Sequence, residues 1–122
     1  MKTNTIFLFL IMIAFSLNVK AQLAGKKFEL SIEQMGTFRL EFKETAYVLT
    51  NPMGEIGVTG TYKIEGNTIQ FADKEGEMAC PEEEVGKYKF SFQNKELKLE
   101  LIEDSCTGRP SIAAHSWKLI DE

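Results

Sequence analysis

The stretch from Ile102 to Trp117, IEDSCTGRPSIAAHSW, gathers Cys106, Arg109, the single histidine His115 and the single tryptophan Trp117 of a 122-residue chain. A thiol, a base and an anion-binding cation are the parts of a nucleophilic site, where the base and a cationic surrounding favour the thiolate. Cys106 and His115 lie nine positions apart, and no turn signal between them brings the two side chains together. A second cysteine, Cys80, is available as a partner, and an even pair in an exported chain reads as a disulfide. Closing a loop of about 27 residues in this way would stabilise the fold by ~3–4 kcal/mol in the chain-entropy account. Arg109 is then expected to serve the turn into the last strand by pairing with Asp104, and His115 is left without a catalytic companion.

Other chemistries find less support. Cys80, Cys106 and His115 lack the close ligand spacing of zinc modules and suggest no fourth ligand, so no metal site is expected. The acidic stretch DKEGEMACPEEE, Asp73 to Glu84, does not follow the ligand spacing of a calcium loop and reads as a solvated loop tethered at Cys80. Its glutamates, like those elsewhere, stand on polar strand faces or in loops rather than as a pair across a cleft, as glycoside hydrolysis would need. Ser31, Ser91, Ser105, Ser111 and Ser116 have no Gly-x-Ser-x-Gly setting. The expectation is a protein that is not an enzyme and carries no cofactor.

Charge and the N-terminus bound the partners. Lys2 is followed by the apolar run Ile6–Leu17 and then by NVKAQ, the layout of a secretory signal peptide cleaved after Ala21. The run is too short to span a bilayer, which takes about 18 apolar residues or more. No cysteine stands at its end, which argues against a lipid anchor. Residues 22–122 then form one domain, exported to the periplasm or beyond the cell. Lys2 and Lys20 fall in the leader, so 12 of the 14 Lys and Arg remain against all 18 Asp and Glu, a net charge of −6. The lysines are spread singly among glutamates, which argues against nucleic acid and against anionic lipid surfaces.

The elements that must position these residues are strands. Apolar and polar residues alternate through Phe28–Ile32, Phe38–Phe42, Tyr47–Thr50, Val58–Ile64, Ile69–Phe71, Tyr88–Phe92 and Leu97–Leu101. Connections such as KET at 43–45, EGNT at 65–68 and QNKE at 93–96 permit only antiparallel hairpins. IAAHSWKLIDE could begin as a short helix, but an eighth strand closes the sheet, with Ala113, His115, Trp117 and Leu119 on one face. The predicted fold is all-β, an eight-stranded antiparallel up-and-down barrel, with a two-sheet sandwich as the alternative. The strands are shorter than the ~9–11 residues of an outer-membrane barrel, so the apolar face is expected inside.

That inward face would carry Phe28, Phe38, Leu40, Phe42, Tyr47, Tyr62, Phe71, Tyr88, Phe90, Phe92, Leu99 and Trp117. An eight-stranded barrel is either just filled by side chains or holds one small ligand. With a pocket at one end, Tyr47, Tyr62, Tyr88, Phe90 and Trp117 are the candidate ligand-binding residues, the tyrosine hydroxyls orienting a polar group.

GTYKIEGNTIQFAD, then Cys80, GKYKFSF, ELKLELIEDSCTGRPSI and Trp117 together resemble the small exported lipocalin-like (calycin) domains of bacteria. The resemblance runs from about Gly57 to Leu119, and its most specific part is Asp104, Cys106 and Arg109. LAGKKFEL at 23–30 is similar to the lipocalin opening, with Phe28 in the role of a tryptophan that is missing here. MACPEEE at 78–84 separately resembles a loop of the META-domain family of envelope proteins. Either resemblance implies an exported β protein and names no partner. The expected function is binding of a small hydrophobic molecule inside the barrel. The alternative is an envelope interaction, inhibitor or stress-related protein with a filled core, acting on an unidentified partner through loops 51–57 and 73–86.

Overall fold

The computed structural model describes residues 23–121; the expected signal peptide lies outside the described residues. Eight strands follow in order: β1 Lys27–Ile32, β2 Gly36–Phe42, β3 Ala46–Thr50, β4 Ile56–Glu65, β5 Thr68–Glu75, β6 Gly86–Gln93, β7 Glu96–Asp104 and β8 Ser116–Asp121. Each pairs antiparallel with the next, and β8 returns to β1, so the sheet is a closed barrel. The up-and-down architecture expected from the hydropathy pattern is therefore present. Closure removes the free edges that an open meander of this length would expose.

Alternation along each strand produces the core. Phe28, Phe38, Leu40, Phe42, Tyr47, Leu49, Val58, Tyr62, Ile69, Phe71, Tyr88, Phe90, Leu97, Leu99 and Trp117 are buried together, while Phe92 is half-buried against them. Up-and-down connectivity sorts the two ends of the barrel. Tight connections at 43–45, 66–67 and 94–95 close one end, and Asn94 and Lys95 both take positive φ, the conformation of the two-residue hairpin turn that matches strand twist. Beneath that end the rings of Phe28, Phe42, Tyr62 and Phe92 meet edge to face at centroid separations of 5.0 to 6.0 Å. Tyr62 donates its hydroxyl proton to the carbonyl of Lys43 at 2.5 Å, tying the β2–β3 connection over the plug.

The longer connections, including 76–85 and 105–115, gather at the opposite end. One of them corrects the single-strand reading of residues 112–120. Arg109–Ala113 forms a short helix, α1, and only from Ser116 does the chain resume as β8. Pro110 stands in the first turn of α1, where its missing N–H costs nothing. Trp117 Nε1–H donates to the Ala113 carbonyl at 3.2 Å and His115 Nε2–H to the Ser111 carbonyl at 2.8 Å, so two side chains downstream satisfy carbonyls at the end of α1.

Strict alternation also places Leu101 in the core, yet it is 48% exposed. Two departures from regular pairing account for this. The ladder from β7 to β8 covers only Glu96–Lys98, and Ile102 is an extra residue opposite β6, since Lys87 pairs with Glu103 and Tyr88 with Leu101. The bulge changes the parity of the strand. As a result Asp104, rather than Glu103, lies opposite Gly86 and faces inward.

Candidate functional site

At the long-loop end the inward positions turn polar. Asp73 follows Ile69 and Phe71 at the same two-residue spacing on β5 and is 2% exposed. The reading of 73–84 as wholly solvated is thus corrected at its first residue, while Glu75, Glu77, Glu82 and Glu83 do face solvent. A carboxylate in this position needs a charged or multiply hydrogen-bonded partner to offset its desolvation. Arg109 supplies it. Its side chain, 8% exposed, enters from the start of α1 and reaches both inward carboxylates.

The resulting cluster is nearly symmetric about the guanidinium. On one side Nη2 lies 3.4 Å from Asp73 Oδ1, which also accepts the Tyr47 hydroxyl, while Asp73 Oδ2 accepts the backbone N–H of Cys80 at 2.9 Å. On the other, Nη1 donates to Asp104 Oδ1 at 2.6 Å; the same oxygen accepts the Cys106 N–H at 2.9 Å, and Oδ2 accepts the Tyr88 hydroxyl at 2.6 Å. Nη2 also donates to the Glu84 carbonyl at 2.9 Å. Cys80 and Cys106 form the expected disulfide, their Cα atoms 6.1 Å apart. Each half of the disulfide is therefore held through its amide by a carboxylate that also binds Arg109.

Gly86 makes room for this arrangement. A Cβ on it would lie 2.3 Å from Asp104 Oδ2 and 2.7 Å from Arg109 Nη1. Gly60 plays the corresponding part beside Asp73, where a Cβ would meet the Ala72 carbonyl at 2.3 Å and the Tyr47 ring at 2.8 Å.

Proton affinities follow from the burial. Desolvation pushes the Tyr47 and Tyr88 hydroxyls far above the ordinary tyrosine range, and the hydrogen bonds and charges of Asp73 and Asp104 add to it. Burial alone would lower the Arg109 pKa, but the hydrogen bond to Asp104 and the charges of both aspartates outweigh it and raise the value. Both tyrosines are consequently neutral donors, and the guanidinium is a permanent cation.

Beside the cluster, with Tyr47, Asp73 and Arg109 in its wall, the barrel is not filled. A cavity of about 310 Å³ is lined by Leu40, Tyr47, Leu49, Val58, Phe71, Asp73, Met78, Cys80, Leu99, Gly108, Arg109, Ser111, Ile112, Ala113 and Trp117. Its walls come from the strands, its cover from α1 and the loop bearing Met78, and exposed Gly108 and Ser111 mark its mouth. The volume lies at the lower end of the ~300–1,000 Å³ usual for small-molecule sites.

Of the residues the sequence put forward for ligand contact, Tyr47 and Trp117 line the cavity. Tyr62, Tyr88 and Phe90 are buried outside its wall, Tyr62 at the plugged end and Tyr88 behind Asp104. All three tyrosine protons are committed to protein acceptors, so none is free to orient a ligand. Asp73 and Met78 were missed; for Asp73 the signal was its place in the Ile69, Phe71, Asp73 series. His115 serves α1, as its bond to Ser111 shows, and has no thiol or carboxylate beside it among the described contacts. Cys80, Glu84 and Cys106 converge closely enough to hold a metal ion, but the disulfide consumes both thiolates such a site would require. Neither a protein-family model, nor a curated protein, nor a solved structure matches this chain.

Proposed function

We propose that this chain is an exported, non-enzymatic binding protein for a small, largely apolar molecule held in the cavity between the barrel wall and α1. The observation that carries the proposal is the cavity itself, a hollow of about 310 Å³ at one end of a barrel whose other end is plugged by aromatic rings. The wall of this hollow is mostly aliphatic, with Leu40, Leu49, Val58, Met78 and Leu99 among its residues. Apolar contacts would supply the affinity. The disulfide and the Arg109 cluster would keep the cover in place, so that little ordering entropy is lost on binding.

The direct test is calorimetric titration of the folded, oxidised protein with 2-ethylnaphthalene, alongside a Val58→Phe variant that fills the cavity. Saturable binding in the parent and none in the variant is the expected pattern. Absence of binding in both, with no bound molecule by native mass spectrometry, would remove the binding function and leave the fold intact.

A surface reading draws on a different observation. Met53 in the 51–55 connection and Ile56 at the start of β4 are 83% and 60% exposed, and a protein partner could be met there. Charge reversal at Glu82 and Glu83 and truncation of Met53 would weaken such an interaction without touching cavity occupancy.

A further inference from the structure

The Arg109 cluster leaves one donor unused. Nη1 is taken by Asp104, and Nη2 by Asp73 and the Glu84 carbonyl. The Nε–H has no acceptor in the protein and is the one such buried side-chain atom among the described residues. The Arg109 side chain is more than nine-tenths buried, and the residue forms part of the cavity wall. Buried donors are almost always paired, so an unmet one beside a hollow points to an acceptor that comes from outside the chain. We propose, building on the binding function above, that the occupant is an apolar molecule bearing one neutral hydrogen-bond acceptor, such as a ketone, ester or amide carbonyl, which takes the Arg109 Nε–H.

Charge decides between a neutral acceptor and a carboxylate. Asp73 and Asp104 already share the single guanidinium, so the cluster holds more negative than positive charge before anything binds. A ligand carboxylate would bring a third anion into this buried space and would have to shed its own hydration to do so. A carbonyl needs neither concession. The neighbouring hydroxyls offer no competing donor, because Tyr47 donates to Asp73 and Ser111 to the Gly108 carbonyl. Size narrows the class further: the hollow is roughly twice the ~150 Å³ cavity that accepts one benzene. A two-ring or comparably branched skeleton fits it.

The test compares three molecules of one shape on the intact oxidised protein: 2-acetylnaphthalene, 2-naphthoate and 2-ethylnaphthalene. Affinities come from calorimetry. The Arg109 Nε–Hε resonance is followed in ¹⁵N-labelled protein, and an Arg39→Lys variant assigns the only other arginine signal. The ketone is expected to bind about ten-fold or more tightly than the hydrocarbon, as a hydrogen bond from a charged donor would give. It should shift the Arg109 Nε–Hε resonance, which the hydrocarbon leaves in place, and naphthoate should bind more weakly than the ketone. Equal affinities for ketone and hydrocarbon with an unmoved resonance, or tightest binding by naphthoate, would overturn the acceptor assignment while leaving the cavity a binding site. Failure of all three to bind would remove the binding function itself, and the acceptor assignment with it.

Discussion

Arg109→Met is the perturbation that asks most of the buried cluster. The substitution keeps an unbranched side chain of similar reach but leaves Asp73 and Asp104 facing each other without a cation, both nearly inaccessible to water. Removing one partner of a buried pair costs ~3–5 kcal/mol, because the remaining charge stays desolvated. Here two carboxylates lose their partner, so the upper part of that range applies. A domain of this size has ~5–15 kcal/mol in total, and with a urea slope of ~1–2 kcal/mol/M a loss of ~4–5 kcal/mol should lower the midpoint by about 2–5 M. The assay is equilibrium urea unfolding of the oxidised protein, read by Trp117 fluorescence and far-ultraviolet circular dichroism. Two companions calibrate it. Tyr88→Phe removes only a hydrogen bond to Asp104 and should cost ~1.5–3 kcal/mol. Glu100→Gln, which breaks the exposed 3.2 Å pair with Lys98, should cost ~0–1 kcal/mol. An Arg109→Met loss no larger than that of Glu100→Gln would refute the claim that the guanidinium holds this end of the barrel together.

Further expectations concern pH, the disulfide and the glycine at β6. Tyr47 and Tyr88 have folded pKa values raised above those of the unfolded chain, so the stability they contribute is complete below pH ~10 and is lost as pH rises beyond it. Tyrosinate absorbance for these two residues should appear together with unfolding, and ionisation of both in the folded barrel would contradict the hydrogen bonds described. Replacing Cys80 and Cys106 by serine should cost about 3.5 kcal/mol by the chain-entropy relation for a separation of 26 residues. The same replacement should quicken hydrogen exchange at residues 76–85 and 105–109 before the strands; uniform quickening would mean the bridge is not local to the cover. Gly86→Ala should cost ~1–3 kcal/mol, because its Cβ would overlap Asp104 and Arg109. An unchanged urea midpoint would show that Asp104 can retreat.

Much of the barrel was legible because a half-buried strand writes its period directly into the sequence. All seven alternating segments from Phe28 to Leu101 are strands, and the short connections at 43–45, 65–68 and 93–96 left no choice but antiparallel neighbours. The disulfide followed from an even cysteine count. The site was less legible, since it depends on exceptions to that period. The extra residue at Ile102 turns Asp104 inward and leaves Leu101 open, and nothing in ELKLELIED announces it. Asp73 keeps the period, but in a run of acidic residues its inward position is masked by its neighbours. The segment after Pro110 is split between helix and strand by the bonds that His115 and Trp117 send back to α1, a tertiary arrangement that periodicity does not encode. Whether the interior is solid depends on volume rather than pattern. Four aromatic rings meet at the plugged end, whereas the hollow at the other is walled by aliphatic Leu40, Leu49, Val58 and Leu99 together with Tyr47, Phe71, Trp117, Asp73 and Arg109.

The central claim, that the hollow end of the barrel is a binding site, is tested most directly by methyl-resolved NMR of the oxidised protein titrated with 2-acetylnaphthalene. Saturable shifts confined to the cavity wall, at Leu40, Leu49, Val58, Met78, Leu99 and Ile112, with Ile64 and Ile69 unmoved, are the predicted result. Shifts scattered over the exposed Met53, Ile56 and Ile102, or none at any concentration the ligand's solubility allows, would contradict it.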